Sequence, residues 1–264
     1  MSGANDRLLP AATVLLLRDG AAGLEVFMVQ RHHQIDFAAG ALVFPGGKVD
    51  KRDSDPGVAA HLSPTPDLTP ELIPFAVATI REAFEECGVL LAGPKGSDSL
   101  VDAARLAQIE ARWRGPMAKG EIGIQEMLAA EDLTLALDRL TRYSHWVTPS
   151  FMPKRFDTHF FLATAPADQL ALHDGGETVD SIWINPGQAI ADGISGKRSV
   201  IFPTRMNLSI LARDNTVADA VARARANPPV MVQPWLEDRA DGQWLVITPD
   251  AGYDRTEAPI SELM

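Results

Sequence analysis

Arg81-Glu82-Ala83-Phe84-Glu85-Glu86-Cys87-Gly88-Val89 closes a helical pattern that begins near Thr69-Pro70. Apolar side chains recur at Ile73, Val77, Ile80, Phe84 and Cys87, the spacing that lays one stripe of a helix against a core. At about 100° per residue, Glu82, Glu85 and Glu86 share one arc on the opposite side. Like charges three and four residues apart repel, so the helix gains nothing from them unless a cation sits between. Hard oxygen ligands alone suit Mg²⁺ or Mn²⁺ rather than zinc. For an arbitrary Glu-rich helix a solvated acidic face is the better reading, so the neighbouring sequence has to decide. Gly88 stands where a helix-ending glycine would, and Val89-Leu90-Leu91 is expected to continue as a strand.

Upstream lies Phe44-Pro45-Gly46-Gly47-Lys48-Val49-Asp50, a strand end running into a glycine pair. Together the two pieces resemble the Nudix box, G-x5-E-x7-R-E-U-x-E-E-x-G-U with U aliphatic. The second half matches at Arg81, Glu82, Glu85, Glu86, Gly88 and Val89, with Ala83 at the first U. The first half departs from the pattern, because the position six after Gly47 is Asp53. Arg81 follows Gly47 by 34 positions where the uninterrupted pattern has 14, so an insertion of 20 residues splits the box.

The rest of the chain sets bounds. Its 264 residues suffice for one large domain, and 46% apolar with 22% charged residues is a globular composition. A net charge of −11 argues against nucleic acid, whose backbone calls for a basic stripe. The single cysteine excludes an internal disulfide and fits a reducing compartment; on the apolar stripe, Cys87 reads as a buried thiol. No apolar run reaches the roughly 18 residues that span a bilayer, so no membrane partner and a cytoplasmic location are expected. The oligomeric state is open, with a homodimer allowed for.

In chain order, Ala12–Leu17 and Leu24–Gln30 read as a hairpin and Ala41–Phe44 as a third strand. The Pro- and Asp-rich insertion, residues 53–68, reads as an ordered loop at the rim of the site, with one helical turn at Val58–Leu62. Thr69 is a plausible N-cap, with Pro70 at the first helical position. Ser99–Arg114 and Glu121–Leu140, the latter broken near Asp132, read as helices inserted between core strands at about 99–141. Strands follow at Tyr143–Thr148, Phe156–Ala165 and Thr178–Ile184, helices at Pro186–Asp192, Pro203–Arg213 and Thr216–Ala226, and strands at Val230–Trp235 and Trp244–Thr248. Interleaved strands and helices give an α/β fold. The resemblance implies a Nudix-type α/β/α sandwich with a mixed sheet plus an inserted helical subdomain, all in one domain spanning 1–264.

The resemblance also implies a site. Glu82, Glu85 and Glu86 would ligate the metal, joined by the Gly46 carbonyl, and Arg81 would orient them. Such ions offset the charge of a diphosphate and lower the pKa of a bound water. Asp53 is given no role, because the insertion starts there. Glu177, in Gly175-Gly176-Glu177-Thr178-Val179-Asp180 ahead of Ser181-Ile182-Trp183-Ile184, resembles the acidic residue many Nudix proteins bring towards the metals; a plain loop carboxylate explains it equally, and Asp180 competes with it.

Three further stretches resemble the long Nudix subgroup that includes a peroxisomal coenzyme A diphosphatase. They are Trp146-Val147-Thr148-Pro149 with Pro153–Phe161, Arg31 through Phe37 and Gly40 to Gly47, and Phe202–Leu208. Arg31, Lys154, Arg155 and Arg205 become candidate phosphate contacts. His33, His159 and His173 show no metal-ligand spacing with another His or Cys. The expected activity is metal-dependent hydrolysis of a diphosphate in a small nucleotide substrate, foremost coenzyme A or acyl-coenzyme A, cut to phosphopantetheine and 3′,5′-ADP. ADP-ribose or dinucleotide hydrolysis is the nearest alternative, and a catalytically silent nucleotide sensor the alternative from another class.

Overall fold

The computed structural model describes residues 7–31, 40–65, 67–169 and 178–260, with Arg31, Thr178 and Val179 described by their backbone. β1 (Leu8–Gly20) and β2 (Gly23–Arg31) form a hairpin in which Gly20 faces Gly23. β3 (Leu42–Val43) and β4 (Gly46–Lys48) precede α1 (Ile73–Cys87). Then come β5 (Ala92–Pro94), α2 (Ala103–Ile109), α3 (Gly115–Ala118), α4 (Ile124–Glu131) and β6 (Leu133–Leu135). β7 (Thr141–Val147), β8 (Arg155–Thr164) and β9 (Thr178–Ile184) return to the main sheet. α5 (Pro186–Ile194), α6 (Phe202–Leu211) and α7 (Val217–Ala226) follow, and β10 (Met231–Val232), β11 (Trp235–Arg239), β12 (Gly242–Val246) and β13 (Glu257–Pro259) end the described chain.

The eight-stranded sheet runs β10-β7-β8-β1-β2-β3, with β4 also on β1 and β9 also on β2. β1 lies parallel to β8 from Leu8↔Arg155 to Leu17↔Thr164, whereas β1–β2, β1–β4 and β7–β8 are antiparallel. The sheet is therefore mixed. One edge of β1 is shared: β2 pairs with residues 17–20 and β4 with residues 11–13. That sharing carries the glycine pair back to the middle of the sheet.

Alternation divides each central strand between two cores. Val14, Leu16, Phe27, Val29, Phe161 and Ala163 meet α1 and the helices of the 99–141 segment. Leu15, Leu17, Val26, Met28, Phe160 and Leu162 meet α5–α7 and the small β11-β12-β13 sheet. Burial on both faces is why these strands read as unbroken apolar runs. The result is a three-layer α/β/α arrangement around a mixed sheet.

Several elements differ from their sequence reading. Residues 89–91 are buried but not in a strand: the Gln169 side chain bonds both the N–H and the C=O of Leu90, at 3.0 and 3.2 Å, in place of a ladder. The 99–114 helix starts at Ala103 and passes through a π-turn at Glu110–Arg114. The 121–140 segment does break at Asp132, which is left-handed at φ 51°, but the chain then enters strand β6, paired with β5, instead of a further helix. The insertion is more than a rim loop. It forms 3₁₀ turns at Lys51–Ser54 and Pro56–His61, buries Val58 in the α1 core, and docks Leu62 and Ser63 on Leu135.

Candidate active site

The last turns of α1 lie over β4, and close backbone approach fixes the residues at the crossing. A Cβ on Gly46 would sit 2.4 Å from the Ala12 carbonyl oxygen, and one on Gly47 would sit 2.5 Å from a Glu82 carboxylate oxygen. At Gly46 only glycine lets β4 press against the β1 backbone, whereas at Gly47 an added methyl would displace the Glu82 carboxylate. The Gly46 N–H then donates to Glu86 Oε2 at 3.0 Å, tying the glycine turn to the carboxylates. Gly88 ends α1 in the left-handed region at φ 67°, where Val89 N–H reaches back to the Ala83 carbonyl. Arg114 of the π-turn donates to the Glu85 carbonyl at 2.9 Å, so the inserted helices brace the end of α1.

Arg81 is the hub. Its guanidinium forks onto Asp53 at 2.9 and 3.0 Å, and reaches Glu82 at 2.8 Å, Glu85 at 3.0 Å and the Lys48 carbonyl at 2.8 Å. Asp53 is held in turn by the Asp50 N–H at 2.8 Å, in a capping box that opens the insertion. Burial opposes the charge on Arg81, but Glu82, Asp53 and Glu85 outweigh it and raise its pKa. Burial also pushes Glu82 up to about 7 although Arg81 pulls it down, and it raises Glu85 in the same way. Three carboxylates therefore crowd one guanidinium, with Glu86 beside them, and that cation alone leaves buried negative charge uncompensated.

These groups floor a cleft of about 1520 Å³. Its lining combines Glu82, Glu85, Glu86, Arg81 and the glycine turn with the apolar side chains of Trp146, Phe151, Phe156, Phe160, Phe202 and Leu245; Phe160 and Gly46 flank Thr13 on neighbouring strands. Drug-sized ligand sites run to roughly 300–1,000 Å³, so there is room for an elongated substrate with a polar and an apolar part.

A family model described as the NUDT19 Nudix domain matches residues 58–207, more than half of the chain. The chain belongs to the NUDT19 Nudix family. It is 27% identical over 213 residues to the acyl-coenzyme A diphosphatase NUDT19 of Homo sapiens, covering 66% of this chain and 57% of that protein. To the protein of the same name from Xenopus laevis it is 25% identical over 233 residues, covering 74% and 61%. The chain thus spans about three-fifths of the length of these curated relatives. A crystal structure of a Nudix hydrolase from Alicyclobacillus acidocaldarius superposes with a TM-score of 0.67 at 26% identity, over 82% of this chain and 96% of that one.

Against the Nudix pattern, the structure brings Gly46, Arg81, Glu82, Glu85 and Glu86 together in one cleft. It also restores Asp53, which the sequence reading left without a role. The insertion loops out after Asp53 and returns at α1, so the acid six positions beyond Gly47 still meets Arg81. The spacing alone was the available signal. Lys154 lines the cleft, with its ammonium 5.6 Å from the Phe156 ring centroid. Arg155 is buried and donates to the Thr148 carbonyl at 3.2 Å; alternation along β8 turns it away from Phe156, and it is not among the residues that line the cleft. Arg205 is likewise not among them; α6 presents Phe202, Pro203 and Thr204 to the cleft. Arg52, which sequence reasoning passed over, lines the cleft and pairs with Asp50 at 2.9 Å. Glu177 lies outside the described residues, as does the Arg31 side chain, whose backbone pairs with Thr178. Among the described residues no helix is long and apolar enough to cross a membrane.

The donor chemistry suits a hard divalent ion. Arg81 holds one oxygen each of Glu82 and Glu85, so each keeps a second for an ion, and Glu86 brings two more less the one on Gly46. The set is all oxygen and rich in negative charge, as Mg²⁺ or Mn²⁺ requires.

Proposed function

We propose that this chain hydrolyses the diphosphate linkage of coenzyme A or an acyl-coenzyme A, releasing phosphopantetheine or its acyl form and 3′,5′-ADP. The observation that carries the reading is the cleft itself, whose lining joins the Nudix carboxylates to an aromatic wall. A diphosphate is placed by the first, and a long, weakly polar pantetheine arm is accommodated by the second. The relatives named acyl-coenzyme A diphosphatase support the same substrate class.

Glu82, Glu85 and Glu86 would hold Mg²⁺ or Mn²⁺, which when bound offsets phosphate charge and acidifies a water. The chain's own residues set up that role. Arg81 fixes the rotamers of Glu82 and Glu85, Asp53 fixes Arg81, and the Gly46 N–H fixes Glu86. Lys154 stands where an anionic group of the substrate would enter. Glu177 is the proposed base, a role that rests on its sequence context alone.

A panel of coenzyme A, acetyl-coenzyme A, dephospho-coenzyme A, ADP-ribose and a diadenosine polyphosphate, with Mg²⁺ or Mn²⁺ and products read by mass, tests the reading. The expected result is preferential cleavage of the coenzyme A forms at the diphosphate. Faster cleavage of ADP-ribose or the dinucleotide overturns the substrate, and no cleavage of any member overturns the hydrolase.

A further inference from the structure

The other face of the strands that wall the cleft carries a second cluster. β7 and β8 place His145 directly opposite His159, and Asp157 lies two residues before His159 on the same face. The two imidazoles stack at 3.9 Å with 17° between their planes. Their Nε2 atoms lie 2.5 and 4.0 Å from the same oxygen, Asp157 Oδ1. All three ligand atoms fall within 4.8 Å of one another. Phe75, at the start of α1, closes one side with its ring 4.4 Å from that of His159.

Phe156, Thr158 and Phe160 line the cleft, whereas His145, Asp157 and His159 do not. Alternation along β8 thus turns the cluster away from these three side chains and onto the face of the sheet that packs against α1. The cluster also differs in kind from the glutamates: two imidazole nitrogens and one carboxylate form a borderline donor set, not a hard one.

We propose that His145, Asp157 and His159 form a second metal site, taking a zinc-class ion such as Zn²⁺ or Co²⁺ with a water as fourth ligand. Bonds of about 2.0–2.1 Å in a tetrahedron put neighbouring ligand atoms roughly 3.3 Å apart. The observed 2.5 and 4.0 Å straddle that value, but the rings stand nearly parallel, so binding requires them to turn until both ring planes pass through the ion. At 4.0 Å His159 Nε2 is beyond hydrogen-bond reach of the carboxylate, and an ion would join what the protein alone leaves apart. Desolvation and the neighbouring His145 lower the His159 pKa to about 4, which keeps its imidazole in the neutral, ligating form. The site would cross-link β7 to β8 beneath the first turn of α1. It stands independently of the reading given to the glutamates.

Co²⁺ bound to the metal-stripped full chain is the probe, because a four-coordinate ion absorbs visible light far more strongly than a six-coordinate one. The wild type is expected to show the intense visible bands of one four-coordinate Co²⁺, beside any weakly absorbing six-coordinate Co²⁺ held by the glutamates. Asp157→Asn and, as a second variant, His145→Gln should lose the bands while circular dichroism stays native. The Glu85→Gln/Glu86→Gln double variant should keep the bands and show a metal-dependent rise in Tm. A wild type without the bands, or bands that vanish in the glutamate double variant and persist in Asp157→Asn, overturns the site.

Discussion

At the scale of single residues, Arg81 and the carboxylates around it decide most of what can be tested. Glu86→Gln keeps size and helix propensity but removes charge from the proposed ligand set. Activity should fall on the order of 10² or more, if an ion supplies several kcal/mol to the transition state. Turnover near that of the wild type at saturating Mg²⁺ would remove Glu86 from the site. Asp53→Ala leaves the buried Arg81 without its forked partner, and loss of one member of a buried pair costs about 3–5 kcal/mol. A loss of unfolding free energy in urea titrations well under that range would show that Glu82 and Glu85 suffice for Arg81. The pH dependence comes from Glu82. Burial raises its folded pKa to about 7, so the unfolded carboxyl ionises first as pH rises. Its contribution to the stability of metal-free protein is therefore full below the ordinary glutamate pKa and is lost as pH climbs through 7. In EDTA, Glu82→Gln should gain on the wild type in Tm between pH 5 and pH 8; parallel Tm profiles would refute this. The sequence made Glu82, Glu85 and Glu86 legible because helical spacing is a local property. It hid Asp53, whose partner is 28 positions away across an insertion, and it hid His145, whose meeting with Asp157 and His159 depends on strand register.

At the scale of elements, the central strands and α1 were legible because their burial is periodic or continuous, and both patterns survive in composition. Short elements were not. Residues 133–135 are apolar enough to continue a helix, and only pairing with β5 makes them a strand. Residues 89–91 have strand composition, but a distant Gln169 amide takes the place of a neighbouring strand. The insertion was misjudged for the same reason: its prolines and aspartates gave the signal of a loop, while the docking of Val58, His61 and Leu62 depends on tertiary partners. His61 Nδ1 lies 2.8 Å from the Leu133 carbonyl, and Val58 is 2% exposed. Val58→Ala should cost on the order of 2 kcal/mol, the transfer term plus a residual cavity. Replacing Ser54–Thr65 by a tight turn should lower Tm far more than loop entropy alone would suggest. An unchanged Tm with altered KM would return the segment to the rim of the site.

At the scale of the whole molecule, the question is how an acidic chain of net charge −11 admits an anionic substrate. The proposed ions offset the diphosphate at the carboxylates, but coenzyme A carries another phosphate, on the 3′ position of its ribose. That group needs a cation elsewhere in the cleft. Of the four cations named from sequence, Lys154 is the one whose described side chain lines it; Arg155 and Arg205 do not, and the Arg31 side chain is not described. Because Lys154 is exposed at the mouth, its contact with a phosphate belongs at the low end of the roughly 1.5–3 kcal/mol for charged hydrogen bonds. Lys154→Ala should therefore lower kcat/KM for coenzyme A by roughly 10-fold and leave dephospho-coenzyme A nearly unchanged, erasing most of the preference between them. Arg155→Ala should do the opposite: it removes the bond to the Thr148 carbonyl and lowers Tm, while the ratio of the two substrates stays as in the wild type. If Lys154→Ala slows both substrates equally, Lys154 acts on the shared diphosphate. If Arg155→Ala alone abolishes the preference, the cleft closes differently around substrate than it stands here, and β8 must turn that side chain inward.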